Sequence, residues 1–432
     1  MVTIMNDNIK LGISRCRLFD FQNVVTFVSE YPEKFDEKEM SKAIKMLSVR
    51  QPLIASSITL NENSEAFVNP ESVTPVVEFT TGDVSEFVKN HKRNGIDFTK
   101  QLFEFFIINS NTLVIFSHTA VSDAKSLLVL ALELLQYYNK ESVSVEPSEI
   151  KLFSSDDELP QEVHSFVADR VTEVLENEWL EKKRSFTYED YLNAKHKFDE
   201  IAGETSSVDY CFEDDLTERL FERSKELKID VSSLVLFALQ KVLLAKIKLP
   251  KKNRKINAKI DRRPFLAEGA MYSVGPFNGT VVVDATNGAG VLPEGAQDFH
   301  KSYYKKMTLC FNSFYNEVFL SRLSPEFLDS AFFYKAKTYK SKPTKKLATL
   351  YGCERKFLLG FESYNLNQKS WEKLSTFHHV FVKEPHKSNE NVSATFVMGK
   401  KNLLHLEFNN GIFNESEMKE VLEKSVENLK QI

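Results

Sequence analysis

Residues 112–127 read Thr-Leu-Val-Ile-Phe-Ser-His-Thr-Ala-Val-Ser-Asp-Ala-Lys-Ser-Leu, and this stretch decides the fold. Its first part, Leu113–Phe116, is apolar and rich in β-branched and aromatic side chains, which predicts a buried strand. From Leu127 to Tyr138 apolar side chains recur on one broad face, which predicts a helix. His118 and Asp123 therefore lie in a loop that joins a strand to a helix, a place where reactive side chains are common.

Strands and helices alternate on both sides of this stretch. The apolar run Leu102–Ile108 is separated from the strand by a polar turn, which predicts a hairpin, and a helix with an N-terminal cap is predicted at Asp36–Leu47. After a polar region between about 140 and 207, strand Val208–Phe212 and helix Ser232–Ile247 restart the pattern. Further strands are predicted at Phe357–Phe361, Phe377–Val382, Val392–Val397 and Leu403–Phe408, and a last helix at Glu415–Leu429.

Length and composition are those of an ordinary globular protein. The 432 residues suffice for two or three domains, and 42% hydrophobic with 27% charged residues excludes a disordered chain. The 56 basic and 61 acidic residues are mixed along the chain and give a net charge of −5, so no nucleic-acid partner is expected. No stretch approaches the 18 apolar residues of a membrane span, and the start lacks signal-peptide features, so we expect a cytoplasmic protein.

The cysteines do not suggest a covalent or metal-stabilised fold. Cys16, Cys211, Cys310 and Cys353 are far apart, without the paired Cys or Cys/His spacing of zinc sites. Neither a disulfide framework nor a metal site is therefore predicted, and reduced thiols in the core are expected.

At the His/Asp loop the sequence resembles the condensation-domain and CoA-dependent acyltransferase superfamily, whose mark is HHxxxDG between an apolar strand and a helix. The segment His118-Thr-Ala-Val-Ser-Asp123-Ala124 aligns with this mark without a gap. In that alignment His118 stands at the first His, Thr119 at the second His, Asp123 at the Asp and Ala124 at the Gly.

The resemblance extends over nearly the whole chain. Arg50-Gln-Pro-Leu53 is similar to the family's element after its first helix, and Lys228–Leu234 to the start of a helix in the second half. Ile260–Phe265 together with Val274–Phe277 resembles a further pair of family segments, and Leu404–Leu429 resembles the last strand, turn and helix.

This resemblance implies an α/β fold, a pseudo-dimer of two chloramphenicol-acetyltransferase-like lobes. Each lobe is expected to be a two-layer sandwich, with a tunnel between the lobes. We assign 1–160 to an N-terminal lobe that carries the His/Asp loop, 161–207 to a connecting helical segment and 208–432 to a C-terminal lobe. A monomer is expected.

The resemblance also implies a reaction. The family transfers an acyl group from a thioester, on CoA or on the phosphopantetheine arm of an acyl carrier protein, to an alcohol or amine. The second His of the mark acts on the proton of the nucleophile, while the Asp is chiefly structural and often pairs with an Arg of the second lobe. No metal and no permanently bound cofactor is implied, since the thioester is a co-substrate.

The sequence departs from the mark at the position of the catalytic His. Thr119 cannot act as a base near neutral pH, because an aliphatic hydroxyl does not readily accept or release a proton there. Either a one-residue bulge brings His118 to the reactive place, or His118 only supports the loop; the gapless alignment favours support. Ala124 adds a methyl group where Gly would leave room for a ligand.

Other residues are candidates for the site. Asp123 is expected to cap the following helix or to pair with Arg263 or Arg262. Ser122 is a candidate for substrate binding. Ser363-Tyr364-Asn365 either lines the tunnel or forms a surface turn after strand Phe357–Phe361.

Three functions are consistent with these features. The first is an acyltransferase in which His118 or an unidentified group is the base. The second is a catalytically lapsed module that binds an acyl carrier protein, an acyl or peptidyl ligand or a partner enzyme. The third is cyclisation or dehydration of a bound thioester on the same fold.

Overall fold

The computed structural model describes residues 8–141, 144–152, 166–181, 184–266, 272–285, 293–308, 314, 318–350, 356–367 and 378–431. The strands are β1 (Ile9–Lys10), β2 (Val24–Glu30), β3 (Ser57–Leu60), β4 (Ala66–Asn69), β5 (Val77–Thr80), β6 (Phe103–Ile108), β7 (Thr112–His118), β8 (Thr205–Cys211), β9 (Lys255–Asp261), β10 (Asn278–Asp284), β11 (Phe357–Asn365), β12 (His378–Lys383), β13 (Glu390–Met398) and β14 (Leu403–Asn409). The helices are α1 (Glu37–Arg50), α2 (Val84–Asn94), α3 (Ala124–Tyr138), α4 (Phe166–Leu180), α5 (Tyr188–Ala202), α6 (Asp214–Leu227), α7 (Val231–Lys246), α8 (Glu294–Thr308), α9 (Pro325–Lys335), α10 (Lys342–Leu350) and α11 (Glu415–Lys430).

The first lobe is built on a five-stranded sheet with the order β12-β2-β7-β6-β5. The predicted hairpin is confirmed: β6 and β7 are antiparallel, with Phe105 opposite Ile115. Asn109 and Ser110 of its turn have φ values of 54° and 70°, the backbone twist that a tight hairpin requires. The sheet carries α3 and α1, whose buried faces close the core of this lobe.

Strand β12 joins the first sheet although it lies late in the chain. It pairs antiparallel with β2, so that Phe381 stands opposite Val28 and Lys383 opposite Thr26. The predicted strand is therefore present from His378, while Phe377 lies outside the described residues. Because β12 falls within 208–432, part of the segment assigned to the C-terminal lobe completes the sheet of the N-terminal lobe.

The second lobe is built on a six-stranded sheet with the order β10-β9-β11-β13-β14-β8. Strand β11 pairs in parallel with both β9 and β13, and the remaining pairs are antiparallel. Helices α7 and α11 supply apolar side chains to the core of this lobe, including Leu236 and Val421. The mixed α/β architecture in two lobes is the fold class that the sequence predicted.

The hydrophobic core of the first lobe is not built from the first part of the sequence alone. The core of the first lobe includes Trp179 of α4 and Tyr191 of α5, both from the segment 161–207 assigned to the connection. It also includes Phe327 of α9 and Leu347 of α10, which come from the second half. Long segments from outside 1–160 therefore build the first lobe.

Two remaining sequence predictions concern the cysteines and the membrane. Cys16 is buried and Cys211 is exposed, while Cys310 and Cys353 lie outside the described residues. In the part of the chain that the structure describes, every helix is too short or too polar to cross a bilayer.

Candidate active site

Asp123 occupies the start of α3, directly after the loop that follows β7. Its side chain accepts hydrogen bonds from the backbone N–H of Ser126 at 2.8 Å and from the Ser126 hydroxyl at 2.7 Å. A carboxylate at this position accepts a hydrogen bond from an otherwise unpaired N–H group, and its negative charge interacts favourably with the positive end of the helix dipole. Asp123 therefore caps α3.

The same carboxylate forms a buried ion pair with Arg263, which follows β9. The guanidinium donates through Nη1 to Oδ2 and through Nη2 to Oδ1, both at 2.9 Å, and also from Nη2 to the Ser126 hydroxyl at 2.8 Å. Burial lowers the pKa of Arg263, but the charges of Asp123 and Asp261 outweigh this effect and raise its pKa overall. Arg262 instead donates to the carbonyl of Phe277. The Asp123–Arg263 pair thus joins the two lobes.

His118 is fully buried beneath this loop. Its Nδ1 accepts a hydrogen bond from the Ala120 backbone N–H at 3.1 Å, so the neutral ring must carry its proton on Nε2. Nε2 lies 3.0 Å from Nδ2 of Asn23. With the Asn23 amide turned over, its oxygen takes this place and accepts the Nε2 proton. Burial lowers the pKa of His118 to about 4. Both ring nitrogens are thus occupied.

Thr119 and Ser122 are buried in the same loop. The backbone N–H of Thr119 donates to the carbonyl of Asn23 at 2.9 Å, and its hydroxyl has no partner among the described residues. The Ser122 hydroxyl donates to the backbone carbonyl of Asp123 at 3.3 Å.

The interlobe cavity has a volume of about 150 Å³ and lies between the start of α3 and the second sheet. Asp123 and Lys125 contribute from α3, and Lys259 and Asp261 from β9, where Lys125 pairs with Asp261 at 2.6 Å. Ser363, Tyr364 and Asn365 also line it. These three residues belong to β11, which continues to Asn365, so they do not form the surface turn considered as an alternative. The structure thus brings Asp123 and Ser363–Asn365 together and leaves His118, Thr119 and Ser122 outside.

Two buried glutamates border the same cavity and were not anticipated from the sequence. Glu362 accepts hydrogen bonds from the hydroxyls of Thr395 at 2.6 Å and Tyr364 at 2.8 Å. Glu384 accepts from the backbone N–H of Ala124 at 2.7 Å. Burial raises the pKa of both carboxyls, and the charges of Glu362 and Asp123 help to raise that of Glu384 to about 8. No local motif marks Glu384, because it reaches the site only through the placement of β12.

A wider interlobe cleft of about 1030 Å³ is lined by α2 and α5 of the first lobe and by β8 and β14 of the second. Lys92 and Lys383 both pair with Glu407 there, Lys92 at 2.7 Å. His386 also borders this cleft, and its Nδ1 has no hydrogen-bond partner among the described residues. A small cavity and a large cleft thus lie between the lobes.

No protein-family model matches the sequence, and a search of curated proteins found no match. Many solved structures match the fold. The condensation domain of the monacolin K polyketide synthase MokA has a TM-score of 0.62 at 13% identity, over 98% of this chain and 96% of its own. The trichothecene 15-O-acetyltransferase TRI3 from Fusarium sporotrichioides has a TM-score of 0.60 at 11% identity, over 97% and 93%. The EpoB cyclization-docking bidomain from Sorangium cellulosum has a TM-score of 0.61 at 13% identity, over 99% and 85%.

The chain therefore has the fold of these condensation and cyclization domains and of the acetyltransferase, as its resemblance to the condensation-domain and CoA-dependent acyltransferase superfamily predicted. The likeness covers almost the full length of the chain and of the MokA and TRI3 structures. Neighbours on this fold include condensation, epimerization and cyclization domains as well as an acetyltransferase, so the fold is compatible with several reactions.

Proposed function

We propose that the protein is a condensation-type acyltransferase, which moves an acyl group from a thioester to an amine or alcohol in the interlobe cavity. The observation that carries the proposal is this cavity, which combines the α3 start at Asp123 with the polar strand residues Ser363–Asn365. Acyl transfer requires that thioester and acceptor meet in a fixed orientation, and a site between two lobes can hold one from each side. The donor is an acyl-CoA or an acyl carrier protein.

In this proposal His118 does not act as the base. Its ring has no contact with the cavity, and protonation of Nδ1 would turn a hydrogen bond from Ala120 into a contact between two donors. The residue instead holds the loop between β7 and α3. Asp123 and Arg263 are positioning residues, because they form an ion pair with each other and the Asp123 carboxylate also caps α3.

A second candidate is a binding module that has lost its catalytic group. The observation that favours it is the pair His118 and Thr119, one saturated with hydrogen bonds and the other without an ionisable side chain. Such a protein would hold an acyl or peptidyl ligand, or a carrier protein, without turnover.

The test is thioester turnover. The purified protein is incubated with acetyl-, hexanoyl- and dodecanoyl-CoA, or with the matching N-acetylcysteamine thioesters, and with a panel of primary amines and alcohols. We expect thiol release that depends on the acceptor, together with an acylated product of the correct mass. The variant His118→Asn, whose amide oxygen can accept from Ala120, should retain activity within about tenfold, because a lost general base costs about 10²- to 10⁴-fold.

Two outcomes would decide against the proposal. If turnover falls more than about 100-fold in His118→Asn while folding is unchanged, His118 is the general base. No thiol release from the wild type, with release gained in Thr119→His, would identify the binding module as the correct candidate.

A further inference from the structure

Glu384 joins the two lobes at the interlobe cavity. It follows β12 directly, where the chain returns from the first sheet to the second, and it is only 3% exposed. Its Oε1 accepts the Ala124 N–H at 2.7 Å, while no described residue donates a hydrogen bond to Oε2. A buried carboxyl is thus fixed by one oxygen at the start of α3, and its second oxygen is available to a ligand in the cavity.

Glu362 is held differently, although it lines the same cavity. One of its oxygens accepts from Thr395 and the other from the Tyr364 hydroxyl. Both oxygens also lie 3.2 Å from the backbone N–H of Glu384. Both carboxyl oxygens of Glu362 are therefore hydrogen bonded within the protein, and this carboxyl group lies beside Glu384.

We propose that Glu384 is the catalytic residue that accepts the proton of the acyl acceptor in this cavity. This inference rests on the proposed acyl transfer, and it assigns to Glu384 the role that a His of the sequence mark would otherwise have. The residue lies one hydrogen bond from Ala124, so it reaches the same helix start from the end of β12.

The proposed step balances without a cofactor. The acceptor nitrogen or oxygen forms a bond to the thioester carbonyl carbon while its proton passes to Oε2 of Glu384. The carbon–sulfur bond then breaks, and the thiolate leaves with the electron pair. Glu384 returns the proton to the thiolate sulfur, so the products are an amide or ester, a thiol and the regenerated carboxylate.

The electrostatic surroundings suit a group that both takes and returns a proton near neutral pH. The raised pKa of Glu384, about 8, lies close to the ordinary pKa of a thiol, near 8.5. Because the carboxyl must be ionised to accept a proton, activity should rise as the pH increases through about 8. The charged and titratable groups that line the cavity around it are Glu362 and Tyr364 from β11, Asp123 and Lys125 from the α3 start, and Lys259 and Asp261 from β9.

The test compares Glu384→Gln with the matched control Glu390→Gln in the turnover assay described above. Gln at 384 keeps an oxygen for the Ala124 N–H but cannot take a proton at neutral pH. Glu390 is also 3% exposed and accepts a hydrogen bond from Asn257 at 2.7 Å, but it does not line the interlobe cavity. We expect kcat to fall at least about 100-fold in Glu384→Gln, with KM nearly unchanged, and the rise in activity with pH to disappear.

The outcomes separate the two proposals. Wild-type turnover that persists in Glu384→Gln with the same pH profile would overturn the role of Glu384 and leave acyl transfer in place. An equal loss in Glu390→Gln would overturn it as well, because the effect would then come from neutralising any buried carboxyl near the lobe boundary. Absence of turnover in the wild type would overturn both proposals. Partial activity in Glu384→Asp, with the pH dependence kept, would support proton transfer at this position.

Discussion

His118 lies at the end of an apolar strand, and its burial determines its chemistry. The ring contacts Phe98 edge-on and is hydrogen bonded at both nitrogens, to the Ala120 N–H and the Asn23 amide. A charged ring would require desolvation of the charge and a second donor where Ala120 already donates. The neutral ring is therefore part of the folded loop.

This burial predicts a pH dependence of stability. The pKa of His118 is about 4 in the folded protein and near 6.5 when exposed, so the unfolded chain binds the proton more tightly. Its contribution to stability should thus be complete above pH 6.5 and decrease as the pH falls towards 4. Between pH 7 and pH 5 we expect a loss of about 2 kcal/mol in the free energy of unfolding from this residue.

The measurement is urea unfolding of the wild type and of His118→Asn at pH 7 and pH 5. The variant lacks the titrating ring, so the difference in stability between the two proteins should shrink by about 2 kcal/mol at the lower pH. A difference that stays constant across this range would show that His118 titrates normally in the folded protein.

At the scale of elements, the start of α3 is the point where the lobes are joined. Asp123 caps the helix and pairs with Arg263, while Ala124 donates its N–H to Glu384. The Ser126 hydroxyl oxygen extends the contact by accepting a hydrogen bond from the backbone N–H of Gly275 at 3.0 Å. One helix start thus meets three separate segments of the second half of the chain.

Removing the charge of Asp123 should be costly. In Asp123→Asn the Arg263 guanidinium loses its bidentate partner in a site where it is 1% exposed, so we expect a loss of about 3–5 kcal/mol in the free energy of unfolding. Urea unfolding at pH 7 measures this. The control is Glu39→Gln in α1, which removes solvent-exposed ion pairs with Lys42 and Lys140 and should leave the free energy of unfolding nearly unchanged. Equal losses in both variants would show that burial does not strengthen the Asp123 pair.

Local sequence patterns predicted the helices and strands around the site better than they predicted which residues line it. The β6–β7 hairpin, the α1 and α3 helices and their Asp caps follow from periodicity and capping rules, which act over a few residues. Helix α2 was not predicted, although Asp83 caps it and Val84, Phe87 and Val88 recur at helical spacing on the face that packs against the first sheet. Glu384 could not be placed either, since its position depends on β12 pairing with the distant strand β2.

At the scale of the whole molecule, the two lobes share chain segments. Strand β12 completes the first sheet from the second half, and α9 packs Phe327 into the first core. Arg15 near the start of the chain forms a buried bidentate pair with Asp329 of α9, with both bonds at 2.7 Å. The first lobe thus includes a strand, a helix and an ion-pair partner from the second half of the chain, and it is incomplete without them.

The two halves should therefore fail to fold separately. Residues 1–207 alone would leave β2 as an open sheet edge and would expose the apolar surface that Phe327 and Leu347 cover. We expect this fragment to aggregate or to unfold without a cooperative transition, and co-expression with 208–432 to restore a complex that unfolds cooperatively. Calorimetry and size-exclusion chromatography of the fragment, the co-expressed pair and the intact chain measure this. A monomeric 1–207 fragment with its own sharp transition would mean that the exchanged strand and helices contribute little to the first lobe, and the intact chain should then show two separate transitions.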